Sequence, residues 1–341
     1  MMWIRPGFEV YWRAPGSSQI GLDPRCALLL DGLSGGEQRL LERLPECAGP
    51  EELRAHARDL GVPARQVKSL LDRLRTAGYV LEGPAPDLHP SLVTGPDQGY
   101  WHRAAMAGHT RPSDRSDAVV AVHVHGLDPL GLRLACVLTH AGVGAVLLHD
   151  ERRVRHNDVG GGLYRAGDVG RMRQDSATAV LRGIDPKVRT RRGPGTDADV
   201  VVLVRAGVAD PVDYRDLMRQ DVCHLPVLAR ELDVVIGPLV RPGEGVCLRC
   251  LDLHRCDRDP RWPAVATQAT TRAAPAAETS LAWLGAALAA HQLLALVDGR
   301  DTLTDTSLEV SAWDPVPVQR RWRVHPQCGC SASALLPAVA G

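Results

Sequence analysis

Ala118-Val119-Val120-Ala121-Val122-His123-Val124 runs straight into His125-Gly126-Leu127-Asp128-Pro129-Leu130-Gly131. The apolar run predicts a buried parallel strand. Leu130–Ala141 carries Leu and Ala at helical spacing, and Ala145–Leu148 reads as a second strand ending at Asp150. Strand, glycine turn, helix, strand and acid make the first half of a dinucleotide-type βαβ unit. Its glycine signature is degraded. Asp128 stands where the second glycine should be, and a carboxylate there repels the phosphates that the glycine would admit. Gly126 and Gly131 remain, and Asp150 is placed to bind a ribose.

Beyond this unit, Val169–Arg182 reads as a helix, and Val200–Val204 and Val234–Ile236 as strands. Ser307–Ala312 and Val316–Val324 are strands of the tail. Strands alternating with helices predict an α/β domain over residues 116–335. Residues 83–115, rich in Pro, Gly, Ser and Asp, read as a linker or irregular cover. Residues 1–82 form a separate unit. Phe8–Arg13, Gln19–Leu22 and Ala27–Leu30 predict short strands. Ser34-Gly35-Gly36-Glu37 is a capping box opening a first helix, with a second from about Glu51. A third carries Val67, Leu70, Leu71, Leu74 and Ala77 on one face, and Gly78 ends it. Tyr79–Leu81 follows as a wing, giving a winged-helix-like α+β plan.

The 40 Lys+Arg balance the 40 Asp+Glu, so nothing global points to nucleic acid or to an anionic membrane. The start, Met1-Met2-Trp3-Ile4-Arg5-Pro6, lacks the pattern of a signal peptide. The longest apolar stretch, Leu281–Val297, is short for a membrane span and contains His291 and Gln292. A soluble, cytoplasmic chain with no membrane partner is expected. Lys68 and Lys187 are its only lysines.

The chain has 9 cysteines, and four of them fall in tight pairs, Cys247-x-x-Cys250 and Cys328-x-Cys330. In a large cytosolic chain such pairs suggest metal rather than disulfides. Four thiolates suit tetrahedral Zn²⁺, and a closed shell leaves no position for chemistry. Cys247, Cys250, Cys328 and Cys330 are therefore the candidate ligands of a structural zinc that staples the tail to the domain. Two other readings stand beside it: unligated cysteine pairs, or a local set of Cys247, Cys250, His254 and Cys256. Cys26, Cys47, Cys136 and Cys223 fall singly and read as core.

Residues 115–330 resemble the ThiF/MoeB-type adenylyltransferases. The resemblance rests on Ala141-Gly142-Val143-Gly144, Asp150, Val154, Asn157 and Asp168-Val169-Gly170 opening a helix. It continues through Gly237-Pro238-Leu239-Val240-Arg241-Pro242-Gly243, the Cys247/Cys250 pair and Asp259-Pro260-Arg261-Trp262-Pro263. It implies a Rossmann-type fold in which Gly126, Gly131, Asp150 and Arg173 occupy nucleotide-binding positions. The charged residues that the family uses on ATP are replaced. Its second acid falls at Arg152, its arginine at Gly160, its lysine at Arg173, and its magnesium-binding acid near Arg205-Ala206-Gly207. Phosphoryl chemistry depends on such placed charges and metal, so a pseudoenzyme without bound ATP is expected. The rival is an active adenylyltransferase acting on a carboxylate.

Residues 1–82 hold as many basic as acidic side chains, which counts against DNA binding; Arg65, Lys68, Arg73 and Arg75 against Asp72 on the third helix give modest support for a winged-helix DNA-binding regulator. Three strands and three helices before a ThiF-like domain resemble the ocin-ThiF-like proteins, the cyclodehydratase partner proteins of azole and thiopeptide pathways. The resemblance implies a recognition element for the leader of a ribosomal precursor peptide. The leader adds as a strand beside Cys26, Ala27, Leu28, Leu29 and Leu30 and packs on the third helix at Lys68, Leu71 and Arg75. It also implies a YcaO-type cyclodehydratase as partner. The alternatives are a packing unit that binds nothing or supports a homodimer, and the DNA reader.

Overall fold

The computed structural model describes residues 2–5, 7–83, 95–109, 120–161, 163–192, 199–271, 277–300, 302–314 and 316–330. The chain divides into two compact units, Met1–Pro112 and Ser113–Gly341.

In the first unit β1 (Met2–Ile4), β2 (Val10–Ala14), β3 (Ser17–Ile20) and β4 (Leu28–Asp31) precede α1 (Gly35–Glu42), α2 (Pro50–Asp59) and α3 (Ala64–Thr76). β5 (Val80–Glu82) and α4 (Gly95–Ala104) follow. The sheet order β2-β3-β4 leaves β4 on an edge, and β1 pairs antiparallel with β5. The capping box forms as read: the Ser34 hydroxyl accepts from the Glu37 amide, and the Glu37 carboxylate accepts from the Ser34 amide at 2.8 Å. Buried Gln38 ties α1 to the β2–β3 hairpin. Its amide donates to the Ala14 and Ser17 carbonyls at 3.0 Å each, and its Oε1 accepts from Gly16 N at 2.8 Å. Ile20, Leu30, Leu40, Leu41, Leu53, Leu70 and Leu74 meet in the core. Burial of each such side chain contributes about 1.5–3 kcal/mol before chain entropy.

Some details differ from the sequence expectation. The wing strand pairs with Met2–Ile4, a segment too short to show a period. The expected linker falls partly outside the described residues, at 84–94 and 110–119, but 95–107 is α4 plus a short 3₁₀ turn. α4 is held to its own unit: Trp3 packs edge-on against His102 at 5.7 Å, and Arg5 donates to the His102 carbonyl at 2.6 Å. The strand expected from Ala118 begins at Val122, its first two residues lying outside the described residues.

The second unit opens with β6 (Val122–His125), α5 (Pro129–His140), β7 (Val146–His149), α6 (Arg173–Ile184) and β8 (Val200–Ala206). It continues through α7 (Pro211–Arg219), β9 (Cys223–Ala229), β10 (Asp233–Ile236), α8 (Leu248–Arg258), α9 (Trp262–Thr270), α10 (Thr279–Val297), β11 (Thr306–Ser311) and β12 (Val318–Arg321). The sheet runs β12-β11-β10-β9-β8-β6-β7, parallel from β9 to β7 and antiparallel through β10, β11 and β12. α6 starts later than read, because Asp168-Val169-Gly170 closes a 3₁₀ turn and Met172 is its N-cap. α10 is long and apolar enough to cross a membrane, but Leu281, Ala286, Ala289, Ala290 and Leu293 are buried in the core that α5 shares.

His123 and His125 point away from that core, Nε2 of His125 lying 3.0 Å from Nδ1 of His123. Burial first, then neighbouring positive charge, pushes their pKa values down to about 4 and about 3. Both groups therefore bind protons more readily in the unfolded chain. Their contribution to stability is complete above the ordinary pKa near 6.5 and is lost as pH falls toward 4. The expected result is a melting temperature that drops between pH 7 and pH 4, with a shallower drop in His125→Gln. Identical profiles for the two proteins would contradict this assignment.

Candidate functional site

The C-terminal ends of β6, β7 and β8, where the resemblance places a nucleotide, are filled by the chain's own charges. Asp128 caps α5, and its carboxylate accepts from the Leu130 and Gly131 amides at 3.1 and 2.9 Å. Those amides are the donors that a phosphate takes at a helix N-terminus. The missing glycine thus does more than repel phosphate: its replacement occupies the anion position. Desolvation raises the Asp128 pKa, and the bond from the Gly131 amide opposes it.

Asp150 is only 5 % exposed. It accepts from Leu127 N at 2.7 Å and takes a fork from Arg152 at 2.9 Å on each oxygen. Arg173, 4 % exposed, reaches Asp150 at 3.3 Å and holds Asp158 at 2.7 Å. Burial alone would raise the Asp150 carboxyl, but the Arg152 hydrogen bonds outweigh it and hold the pKa at about 2. Asp150 therefore supports folding fully above its ordinary value of 3.8, and that support is lost as pH falls from there through about 2. Arg205 folds back to donate to the His125 carbonyl at 2.8 Å while pairing with Asp213 at 2.6 Å. Gly126 and Gly131 are explained by packing. A Cβ at Gly126 would sit 2.3 Å from the Val204 carbonyl, and one at Gly131 2.0 Å from the Gly126 carbonyl.

Cys247 and Cys250, at the start of α8, meet Cys328 and Cys330, all four Sγ atoms lying within 4.8 Å of one another. Cys247–Cys328 and Cys250–Cys330 are each 3.4 Å apart, and Cys247–Cys250 is 3.8 Å. These separations exceed a disulfide bond. They approach the roughly 3.8 Å edge of a tetrahedron with 2.3 Å zinc–sulfur arms. Burial pushes the Cys247 thiol up and the Cys330 thiol to about 12. Four thiolates can share that space only with a cation to balance them. The cluster is able to hold a metal and is compatible with structural zinc. The local alternative is not assembled: His254 faces the Arg323 carbonyl at 2.8 Å, and Cys256 lies outside the cluster.

In the first unit an open groove runs between α3 and the edge of β4 that pairs with no strand among the described residues. Leu28, Leu29 and Leu30 form one wall; Arg65, Lys68, Ser69, Asp72, Arg73, Thr76 and Ala77 form the other. Leu29 is 52 % exposed, and Arg73 fixes the helix to the strand by donating to the Asp31 carbonyl at 3.2 Å. Four of the expected contact residues lie elsewhere. Cys26 and Ala27 form a turn closed on the Asp23 carbonyl, with Tyr79 Oη donating to the Cys26 carbonyl at 2.6 Å. Leu71 is 4 % exposed in the core. Arg75 turns toward Asp72 and the Met2 sulfur. Helical phase explains the last two: Leu71 falls on the core face, and Arg75 falls outside the groove. Arg65, Ser69, Asp72, Arg73 and Thr76 are the groove residues that the apolar pattern could not single out.

No family model and no curated protein matches this chain. Solved structures do. E. coli MccB with ATP superposes with a TM-score of 0.63 at 13 % identity, covering 97 % of this chain and 99 % of that one. The microcin C7 biosynthetic enzyme MccB in complex with N-formylated MccA gives 0.65 at 12 % identity, with the same coverage. The chain has a ThiF/MoeB-like fold. PaaA gives 0.63 at 14 % identity over 93 % of this chain and 98 % of that one. At such identities the likeness establishes architecture alone.

Proposed function

We propose that this protein is a non-catalytic scaffold. Its N-terminal, winged-helix-like unit captures the leader of a ribosomal precursor peptide and presents the core to a YcaO-type cyclodehydratase, in azoline, azole or thiopeptide biosynthesis. The observation that carries this reading is the open groove at the unpaired edge of β4. An extended peptide there gains main-chain hydrogen bonds from the edge and apolar contact from Leu28 and Leu29. Arg65, Lys68 and Arg73 outnumber Asp72, which favours an acidic leader. The complex of the similar MccB with N-formylated MccA supports a peptide as ligand. The guanidinium–carboxylate pairs that fill the nucleotide position support the absence of ATP chemistry. Zinc held by the four cysteines is structural, and a homodimer is compatible with the scaffold role.

A second reading, an active adenylyltransferase, draws on the crystal structure of the similar MccB with ATP. The purified chain is expected to exchange no pyrophosphate into ATP with any precursor peptide. Robust exchange that Asp150→Ala abolishes would establish the second reading instead. In a reconstituted reaction, the cyclodehydratase should dehydrate the precursor only when this chain is added. Leu29→Asp, an exposed change, should remove that requirement's benefit without unfolding the chain.

A further inference from the structure

α8 places Leu248, Leu251, Asp252, Arg255 and Arg258 on successive turns facing the sheet surface formed by β9, β10, β11 and β12, with Arg258 at the exposed rim. Between helix and sheet lies a partly open cavity of about 130 Å³. That is far more than the space one water occupies. Four guanidiniums line it: Arg255 and Arg258 from the helix, Arg230 and Arg320 from the sheet side. Two carboxylates line it too, and both are engaged. Asp252 holds Arg255 at 3.1 Å, and Glu309 holds Arg320 at 2.6 Å. Asp233 holds Arg230 from outside the cavity at 2.5 Å. Arg255 is further fixed over the Trp262 ring, 5.0 Å from its centroid. Arg258, on the same face of α8, has no carboxylate partner among the described residues.

We propose that this cavity binds a compact oxyanion, with Arg258 as the free anchor and Arg255, Arg230 and Arg320 as the preset donors. Guanidinium forks meet phosphate and carboxylate alike through two coplanar oxygens. With Asp252, Glu309 and Asp233 pairing Arg255, Arg320 and Arg230, the charge of Arg258 is, among the described lining residues, the one left for a ligand to neutralise. Leu248, Leu251 and Pro226 give the same cavity an apolar wall, able to seat the carbon beside a carboxylate. No described residue of β6, β7 or the start of α5 lines it, so the site is separate from the filled position at the ends of β6 and β7.

The test is titration calorimetry of the full chain with inorganic phosphate and, separately, with N-acetyl-alanine, in a low-chloride buffer at constant ionic strength. Saturable one-to-one binding of either probe is expected. Arg258→Ala should weaken it roughly tenfold while leaving the melting temperature unchanged, because no ion pair is lost. Arg258→Lys keeps the charge and loses the fork, so it should restore binding only in part. Binding of phosphate alone assigns a phosphate group, and binding of N-acetyl-alanine alone assigns a carboxylate. Absence of saturation by both probes, or titration of Arg258→Ala and Arg320→Gln like the wild type, would overturn the site.

Discussion

Cys250→Ser is expected to yield a zinc-free chain that accumulates as insoluble protein and lacks a cooperative melting transition. Cys250 is fully buried and lies among three other thiols. Removing it leaves three ligands, and the hydroxyl that replaces it is a poor partner for Zn²⁺. Structural zinc contributes about 10–16 kcal/mol to folding in zinc-finger peptides. That is comparable to the whole stability of a typical domain, roughly 5–15 kcal/mol. Cys328 and Cys330 reach the cluster from the tail, so the same substitution also releases the chain that follows β12. Metal analysis of the wild type should give about one zinc per chain. Cys256→Ser, outside the cluster, should keep both zinc and fold. A wild type that purifies without metal, or a Cys250→Ser protein with unchanged zinc and melting temperature, would contradict the assignment.

Arg173→Met carries the second large effect. The guanidinium holds two buried carboxylates, Asp158 and Asp150, and methionine fills much of its volume without its charge. Breaking a buried ion pair on one side destabilises by roughly 3–5 kcal/mol, because the remaining charge is left in low dielectric. For a domain of this size about 1 kcal/mol corresponds to about 2–4 °C, so the melting temperature should fall by roughly 6–20 °C. Arg173→Lys should recover little, because an ammonium cannot bridge both carboxylates as the fork does. A nucleotide-binding Arg173 predicts the opposite pattern: a small stability effect in the absence of ATP, and loss of protection by ATP. Equal melting temperatures for Arg173→Met and the wild type would remove the ion pairs from the explanation of the filled site.

What the sequence displayed depended on whether a residue's partner was near in the chain. The β6–α5–β7 unit was legible because period-3.6 and all-apolar runs follow each other within 35 residues. The Ser34 capping box was legible for the same reason. The cysteine pairs stood out through their tight spacing, although they close over a long loop. Other features were hidden. β9 is an apolar run interrupted by Pro226, and β1 has three residues, so neither shows a period. Arg152, Arg173 and Arg205 were visible as departures from the family pattern. Their partners Asp158 and Asp213 were not, since pairing depends on side-chain direction across separate elements. The groove showed the same limit. Helical spacing marked the core face of α3, and Leu71 belongs to it; the residues that face β4 are polar and carry no periodic signal.

Binding of a leader peptide to the β4–α3 groove is the most direct test of the scaffold role. The measurement is fluorescence anisotropy of a labelled leader from any short precursor peptide found encoded beside this chain's gene, titrated with the full-length protein. Affinity should be micromolar or tighter, since about 8 kcal/mol corresponds to 1 μM. Leu29→Asp should abolish binding with circular dichroism unchanged, because Leu29 is exposed. Lys68→Glu should weaken it, more so at low salt, where screening is least. Saturable binding that both substitutions impair is the predicted result. A wild-type chain that ignores the leader yet binds duplex DNA with a steep salt dependence would contradict the scaffold role.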